Sequence, residues 1–205
     1  AKNSLVIKSN EILYFVDDIF PLRNKEFSDL MKSFVDEKLN MPWKCESRAN
    51  LLNEKNCTEM KEAGCKMIKI GFESASDKIL KQISKRETRE DYIKCAEVLK
   101  KTNMKCGAYM MLGFPNETDA DVDETINLAK YLYDLGVVQY FSLSILSPYY
   151  GTPIYFSLVD QGYNLTDDNA WHMFYHQTGD LMANKLISKE KVEEFLNLAK
   201  LNEYL

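Results

Sequence analysis

Polar groups follow apolar runs at five places in this 205-residue chain, and those junctions are where chemistry is to be sought. Asp17 and Asp18 follow the run 12–16, Arg48 follows 43–47, and Glu73 and Ser74 follow 67–72. Gly113-Phe114-Pro115, with Glu117 and Thr118, follows 106–112. Ser147-Pro148 and then Tyr149-Tyr150-Gly151-Thr152-Pro153 follow 139–146. A carboxylate set directly after an apolar strand is costly unless a hydrogen-bonding partner meets it. For any one of these residues the plain reading is a helix cap or an ion pair, for instance Glu73 with Arg48. The recurrence of polar groups at the same end of each run argues for a shared site.

The five runs are short, rich in β-formers and nearly continuous, the pattern expected of strands buried on both faces. Helical patterns separate them. In 26–39, Phe27, Leu30, Met31, Phe34 and Val35 fall on one stripe; 54–63 stops at Gly64, and 119–135 stops at Gly136. Between those two lie 76–83 and 89–101, the latter with Tyr92, Ala96 and Leu99 on one face. Strand then helix every ~25–35 residues predicts right-handed βαβ crossovers and a parallel sheet. An open doubly wound sheet and part of a barrel both satisfy the pattern, and both place function at the C-terminal strand ends. After Pro148 the pattern changes to a turn, a short helix from Ile154, a loop, an aromatic run 171–175 and a last helix from Ser188. Residues 161–205 are therefore expected to be a small, mainly helical appendage to a unit spanning 1–160.

The net charge of −5 gives no electrostatic reason to expect nucleic acid as partner. No apolar run approaches the roughly 18 residues that cross a bilayer, and no signal peptide opens the chain, so a cytoplasmic location is expected. Ala1-Lys2-Asn3-Ser4 reads as the middle of something longer. Cys45, Cys57, Cys65, Cys95 and Cys106 are too scattered for a disulfide framework and none are spaced as CxxC. Reduced packing residues are the simpler reading, with ligation by Cys57 and Cys65 as the alternative. His172 and His176 lack the glutamate of HExxH and sit among aromatic residues, which favours packing over metal binding.

Several of these strings, in order, resemble one family. Phe15-Val16-Asp17-Asp18-Ile19-Phe20, Trp43-Lys44-Cys45-Glu46-Ser47-Arg48 and Met60-Lys61-Glu62-Ala63-Gly64-Cys65 come first. Ile70-Gly71-Phe72-Glu73-Ser74-Ala75-Ser76, Gly113-Phe114-Pro115-Asn116-Glu117-Thr118 and Pro148-Tyr149-Tyr150-Gly151-Thr152-Pro153 follow. Together they are similar to the radical S-adenosylmethionine (SAM) enzymes of the cobalamin-binding, magnesium-protoporphyrin-cyclase-like group. The resemblance covers roughly residues 11–160. It implies a partial (β/α)6 TIM-like barrel, here without its first strand, with SAM across the strand ends. By that resemblance Glu73, with Ser74 beside it, takes the ribose, Gly113 and the loop to Glu117 lie beside the adenosyl group, and Ser147-Pro148 offers backbone to adenine. Arg48 faces the SAM carboxylate or Glu73, Asp17 or Asp18 faces the methionine amino group, and Tyr149 or Tyr150 stacks at the mouth.

The family's 4Fe-4S cluster rests on three cysteines, usually CxxxCxxC, after the first strand, and reduces SAM to a 5′-deoxyadenosyl radical. This chain holds no such motif. The resemblance therefore implies SAM and a 4Fe-4S cluster as cofactors of a longer parent, cobalamin remaining open, and this polypeptide alone is expected to be inactive and to hold SAM weakly. An apolar edge near residues 12–15 is expected to be covered by residues 1–10 or to pair with a second copy. The competing function is a barrel lyase, hydrolase or binding module with a carboxylate site at Asp17, Asp18 and Glu73. The substrate is not legible.

Overall fold

The computed structural model describes residues 12–20, 25–38, 41–162 and 186–202. Five strands form one parallel sheet in the order β1 (Leu13–Tyr14), β2 (Trp43–Ser47), β3 (Cys65–Glu73), β4 (Lys105–Leu112) and β5 (Val138–Ile145). Neighbours in sequence are neighbours in space. Crossovers of one hand that always advance in one direction put every helix on the same side of the sheet. That is the arrangement of a barrel, and a doubly wound sheet, whose order reverses, is excluded. The described strands make an open segment of such a barrel.

The helices are α1 (Lys25–Asp36), α2 (Glu54–Glu62), α3 (Asp77–Gln82), α4 (Arg89–Thr102), α5 (Asp119–Asp134), α6 (Pro153–Asp160) and α7 (Lys189–Asn197). Their starts are chemically marked. Asn53, Thr88 and Thr118 each begin a helix with a reciprocal capping box, and Ser188 caps α7 through the amide of Lys191. Gly64 and Gly136 end α2 and α5 with φ of 94° and 67°, a backbone region that glycine enters without strain.

The strands are not buried on both faces. Burial alternates along β2, so that Trp43, Cys45 and Ser47 are covered while Lys44 and Glu46 are half-exposed. In β3, Ile68, Ile70 and Phe72 are covered, and Lys69, Gly71 and Glu73 face the other way. The apolar runs are continuous only in part; a polar or small residue at every second place marks a second, open face. Under the helices lies one core that includes Trp43, Ile68, Ile70, Phe72, Tyr92, Leu99, Leu112 and Ile126. The stripe of α1 is narrower than its periodicity suggests: Phe27 and Met31 are buried, but Leu30 and Val35 are exposed at 39% and 49%.

Val192, Phe195 and Leu198 of the C-terminal segment enter that same core, and Ser188 donates its amide to Asp119 at the start of α5. Residues 1–11 and 163–185, which include His172, His176 and the aromatic run, lie outside the described residues. Among the described residues no helix is long and apolar enough to cross a membrane.

Candidate functional site at the strand ends

A cavity of about 460 Å³ opens on the inner face at the C-terminal ends of β2, β3 and β4. Its wall includes Asp18, Ser47, Arg48, Glu73, Lys85, Tyr109 and Ser144. The local fold presents Glu73 deliberately. A register shift between Gly71 and Glu73 breaks the ladder to β4, and Glu73 takes φ of 60°, a left-handed conformation that costs a non-glycine residue about 1 kcal/mol or more. Lys85 meets it at 3.1 Å. The short α3 ends at Gln82, Ser84 and Arg86 then take φ of 54° and 57°, and this reversal brings Lys85 back over the sheet. Gly71 leaves the room: a Cβ there would stand 2.5 Å from Glu73 Oε1 and 3.1 Å from Lys85 Nζ.

Arg48 does not pair with Glu73. Its Nη2 donates to the carbonyl of Lys85 and lies 3.3 Å from Glu87 Oε2. Glu87, whose side chain is fully buried, also accepts the amide of Asn50 at 2.9 Å and stands 3.9 Å from Lys85 Nζ. The rim is thus an alternating row, Glu73, Lys85, Glu87, Arg48, in which two cations balance two carboxylates. Two donors in the wall stay unclaimed by described partners: Ser47 Oγ and Arg48 Nε are both buried without a hydrogen bond. A buried polar group left unpaired costs about 1–3 kcal/mol, so a polar ligand that reached them would recover that loss.

The other residues singled out from sequence lie at the same end of the parallel sheet without lining this cavity. Asp17 belongs to a neighbouring hollow with Phe15, Phe20, Glu26 and Phe27. Ser74 is buried, 3.2 Å from Thr125 Oγ1 of α5, and accepts the amide of Ser76. Glu117 folds back to accept the amides of Gly113 and Phe114 at 2.6 and 3.1 Å. Burial pushes its carboxyl up to about 7, against those two donors. Asp121 nearby behaves oppositely: burial disfavours its charge, but Lys78, Ser76 and Thr118 hold it well below the usual carboxylate range. Pro148 is buried, and Tyr150 is exposed and packs edge-on against Tyr155 of α6 at 5.1 Å.

Sequence reasoning missed two groups. Glu87 was hidden because nothing in Lys85-Arg86-Glu87 distinguishes a buried carboxylate from a solvated one. The second is a row on the inner face: Tyr14, Glu46, Lys69, Tyr109 and Tyr140, one from each strand. Its signal was present, as the period-two alternation in Lys44-Cys45-Glu46 and Lys69-Ile70-Gly71. Burial alone would lower the Lys69 ammonium, yet the Tyr14 and Tyr109 hydroxyls beside it raise it overall above the ordinary lysine value.

With this geometry in place, comparison with known proteins decides the family. The profile of the Radical SAM superfamily matches residues 12–129. The chain belongs to the radical SAM superfamily. An uncharacterised methyltransferase of Pyrococcus horikoshii is 32% identical over 191 residues, covering 93% of this chain and 40% of that protein. Bacteriochlorophyllide d C-12(1)-methyltransferase of Chlorobaculum tepidum is 24% identical over 188 residues, 90% of this chain and 39% of that protein. The chain therefore spans about two-fifths of the length of these relatives. Among solved structures, the radical SAM methyltransferase TsrM of Kitasatospora setae, with cobalamin and a [4Fe-4S] cluster bound, superposes with a TM-score of 0.59 at 19% identity. That likeness covers 73% of this chain and 30% of TsrM, and bears out the barrel-type fold.

None of the five cysteines has the CxxxCxxC spacing of a cluster motif. All five cysteines are buried, and burial pushes Cys57 and Cys106 up to about 12, where the thiol, not the ligating thiolate, prevails. Among the described residues no three His, Cys, Asp or Glu side chains gather closely enough to hold a metal ion. Asp18 and Glu73 line one cavity and Asp17 another, so the three carboxylates are not gathered in a single hollow. SAM is a different matter: the cavity, with its unclaimed donors and its carboxylates, has the donor set that a nucleoside bearing an amino-acid tail requires.

Proposed function

We infer that this chain supplies the SAM-holding face of a radical SAM enzyme, the nucleoside lying across the ends of β2 to β5. The observation that carries this reading is the pair of unclaimed buried donors, Ser47 Oγ and Arg48 Nε, set in one wall with the Glu73–Lys85 ion pair. Arg48 donates to the methionine carboxylate, with Glu87 holding the guanidinium in place. Glu73 accepts from the ribose hydroxyls, and Asp18 faces the amino group. Gly113 and the loop to Glu117, with Ser147, Pro148 and Tyr149, border the adenine from β4 and β5, where Glu117 serves by shaping the turn. Asp17 and Ser74 act by supporting their loops.

When bound, SAM supplies the superfamily's reaction class, reductive cleavage at its sulfonium, in the whole protein. Group transfer in the manner of the methyltransferase relatives is the proposed outcome, with a 4Fe-4S cluster and cobalamin as companion cofactors. The outer edge of β1, which pairs with no other described strand and lies beside exposed Ile12 and Val16, is proposed to be covered by residues 1–10 or to pair with a second copy.

Calorimetric titration with S-adenosylhomocysteine, which has the same recognition groups and no reactive sulfonium, tests the reading. A dissociation constant on the order of 1 mM is expected, weakened at least tenfold by Arg48→Ala and by Glu73→Gln. No saturable binding, or binding that ignores both substitutions, would refute it.

A further inference from the structure

Below the rim, the inner face carries the second polar group, which the SAM reading leaves unused. Lys69 Nζ lies 2.8 Å from the Tyr14 hydroxyl and 3.4 Å from Glu46 Oε1. It also stands 4.1 Å from the centroid of the Tyr14 ring and 5.6 Å from that of Tyr109. The hydroxyls of Tyr109 and Tyr140 are 3.2 Å apart. Tyr140 rests on the bare backbone of Gly107, where a Cβ would come within 2.5 Å of the ring. Lys69, Glu46 and Tyr109 line the same cavity as Arg48 and Glu73. Lys69 and Glu73 are four positions apart in β3, about 13 Å along a strand. A group held at the rim therefore leaves this floor to something else.

Charge and hydrogen-bonding capacity say what that is. At the rim, Arg48 and Lys85 stand against Glu73 and Glu87, with Asp18 as a further carboxylate in the same wall. On the inner face below it, Lys44 and Lys69 stand against Glu46 alone, and Lys44 also lies over the Tyr14 ring, 5.2 Å from its centroid. Glu46 is already engaged by the Tyr14 hydroxyl as well as by Lys69. An ammonium has three donors, of which Tyr14 and Glu46 occupy two while the Tyr109 hydroxyl lies beside the third. In the Tyr109–Tyr140 contact one hydroxyl donates to the other, whose own proton stays available. Taken by itself, the strand floor thus has a hydroxyl proton to spare and one more cation than carboxylate, the nearest further carboxylates, Asp18 and Glu73, lying at the rim. The Lys69 side chain is only 15% exposed, which strengthens any charge–charge contact made there.

We propose that this floor binds an acidic group, a carboxylate or a phosphate, carried by the molecule on which the enzyme acts. The proposal builds on the SAM reading in that the nucleoside occupies the rim above. The floor's own geometry owes nothing to it.

Three probes of similar size separate the possibilities: benzoate, phenyl phosphate and neutral benzamide. Each is titrated into the ¹⁵N-labelled chain, alone and with S-adenosylhomocysteine present, while the amides of Lys69, Gly71 and Tyr109 are followed. At least one anion is expected to bind tenfold or more tightly than benzamide and to shift those three amides; whichever anion wins names the acid. Lys69→Met should abolish the preference and leave the response to S-adenosylhomocysteine unchanged, whereas Lys69→Arg should keep it. Should Lys69→Met fail to fold, the wild-type ratio of anion to benzamide affinity decides alone. Equal binding of all three probes, or shifts confined to other residues, overturns the proposal. If S-adenosylhomocysteine binds at the rim and the anions fail, only the floor assignment is lost; if the anions bind at Lys69 and S-adenosylhomocysteine does not, only the rim assignment is.

Discussion

The two faces of this one sheet were built by opposite rules. On the helix side, Cys45, Ile68, Ile70, Phe72, Cys106 and Ala108 are wholly buried. Polar groups that cross to that side are neutralised in place, as Tyr92 is by donating to the Phe72 carbonyl at 2.7 Å. On the inner side, Glu46, Lys69, Glu73, Tyr109 and Tyr140 remain partly open, and the rim keeps unclaimed donors and a left-handed glutamate. The lesson is a division of labour within each strand. Alternate residues supply stability and binding, so substitutions one position apart should differ in kind.

The largest effect is expected on the covered face. Phe72→Ala removes a ring that meets Tyr92 edge-on at 5.0 Å and should cost about 3–5 kcal/mol in a urea titration. A loss under about 1 kcal/mol would mean that the two faces are not energetically distinct. Next comes a polar group on the covered side. Glu117 is raised from 4.5 to about 7 by burial, so the folded chain keeps its proton to higher pH than the unfolded chain does. Its contribution is therefore full below pH 4.5 and is lost as pH rises through 7, a swing of about 3 kcal/mol. Glu117→Gln should flatten stability across that window; an unchanged pH profile would contradict the assignment.

On the inner face the effects should be smaller. Gly107→Ala forces the Tyr140 ring off the backbone and is expected to cost about 1–3 kcal/mol by the same titration. The smallest effect is expected at the tip of β2, where Ser47, on the covered side of the strand, reaches the edge of the cavity. Ser47→Ala removes a buried hydroxyl with no described partner and should change stability by no more than about 1 kcal/mol, in the stabilising direction. The same variant should weaken S-adenosylhomocysteine binding about fivefold. A destabilised variant with unaltered binding would show that Ser47 serves packing.

The covered face was the more legible in the sequence. Helix stops at Gly64 and Gly136 are local chemistry and were read as such, and the element order followed; the caps at Asn53 and Thr88 are equally local but were not singled out. The choice between barrel and doubly wound sheet was not local, because strand order depends on which side each crossover packs. Arg48 and Glu73 were correctly suspected of ion pairing but assigned to each other, since residues after Gln82 that swing Lys85 and Glu87 between them carry no periodic signal. The inner row was overlooked for another reason. Lys69 sits among Ile68, Ile70 and Phe72, and reading that stretch as one apolar run hid its alternation.

The claim on which the account rests is that one cavity at the strand ends holds the nucleoside. Amide-shift mapping of S-adenosylhomocysteine on the 205-residue chain tests it most directly. The expected result is a contiguous set of shifts at Ser47, Arg48, Gly71, Glu73 and Lys85, saturating with a single constant. Shifts confined to the hollow beside α1, around Phe15, Asp17 and Phe27, or absent altogether, would contradict it.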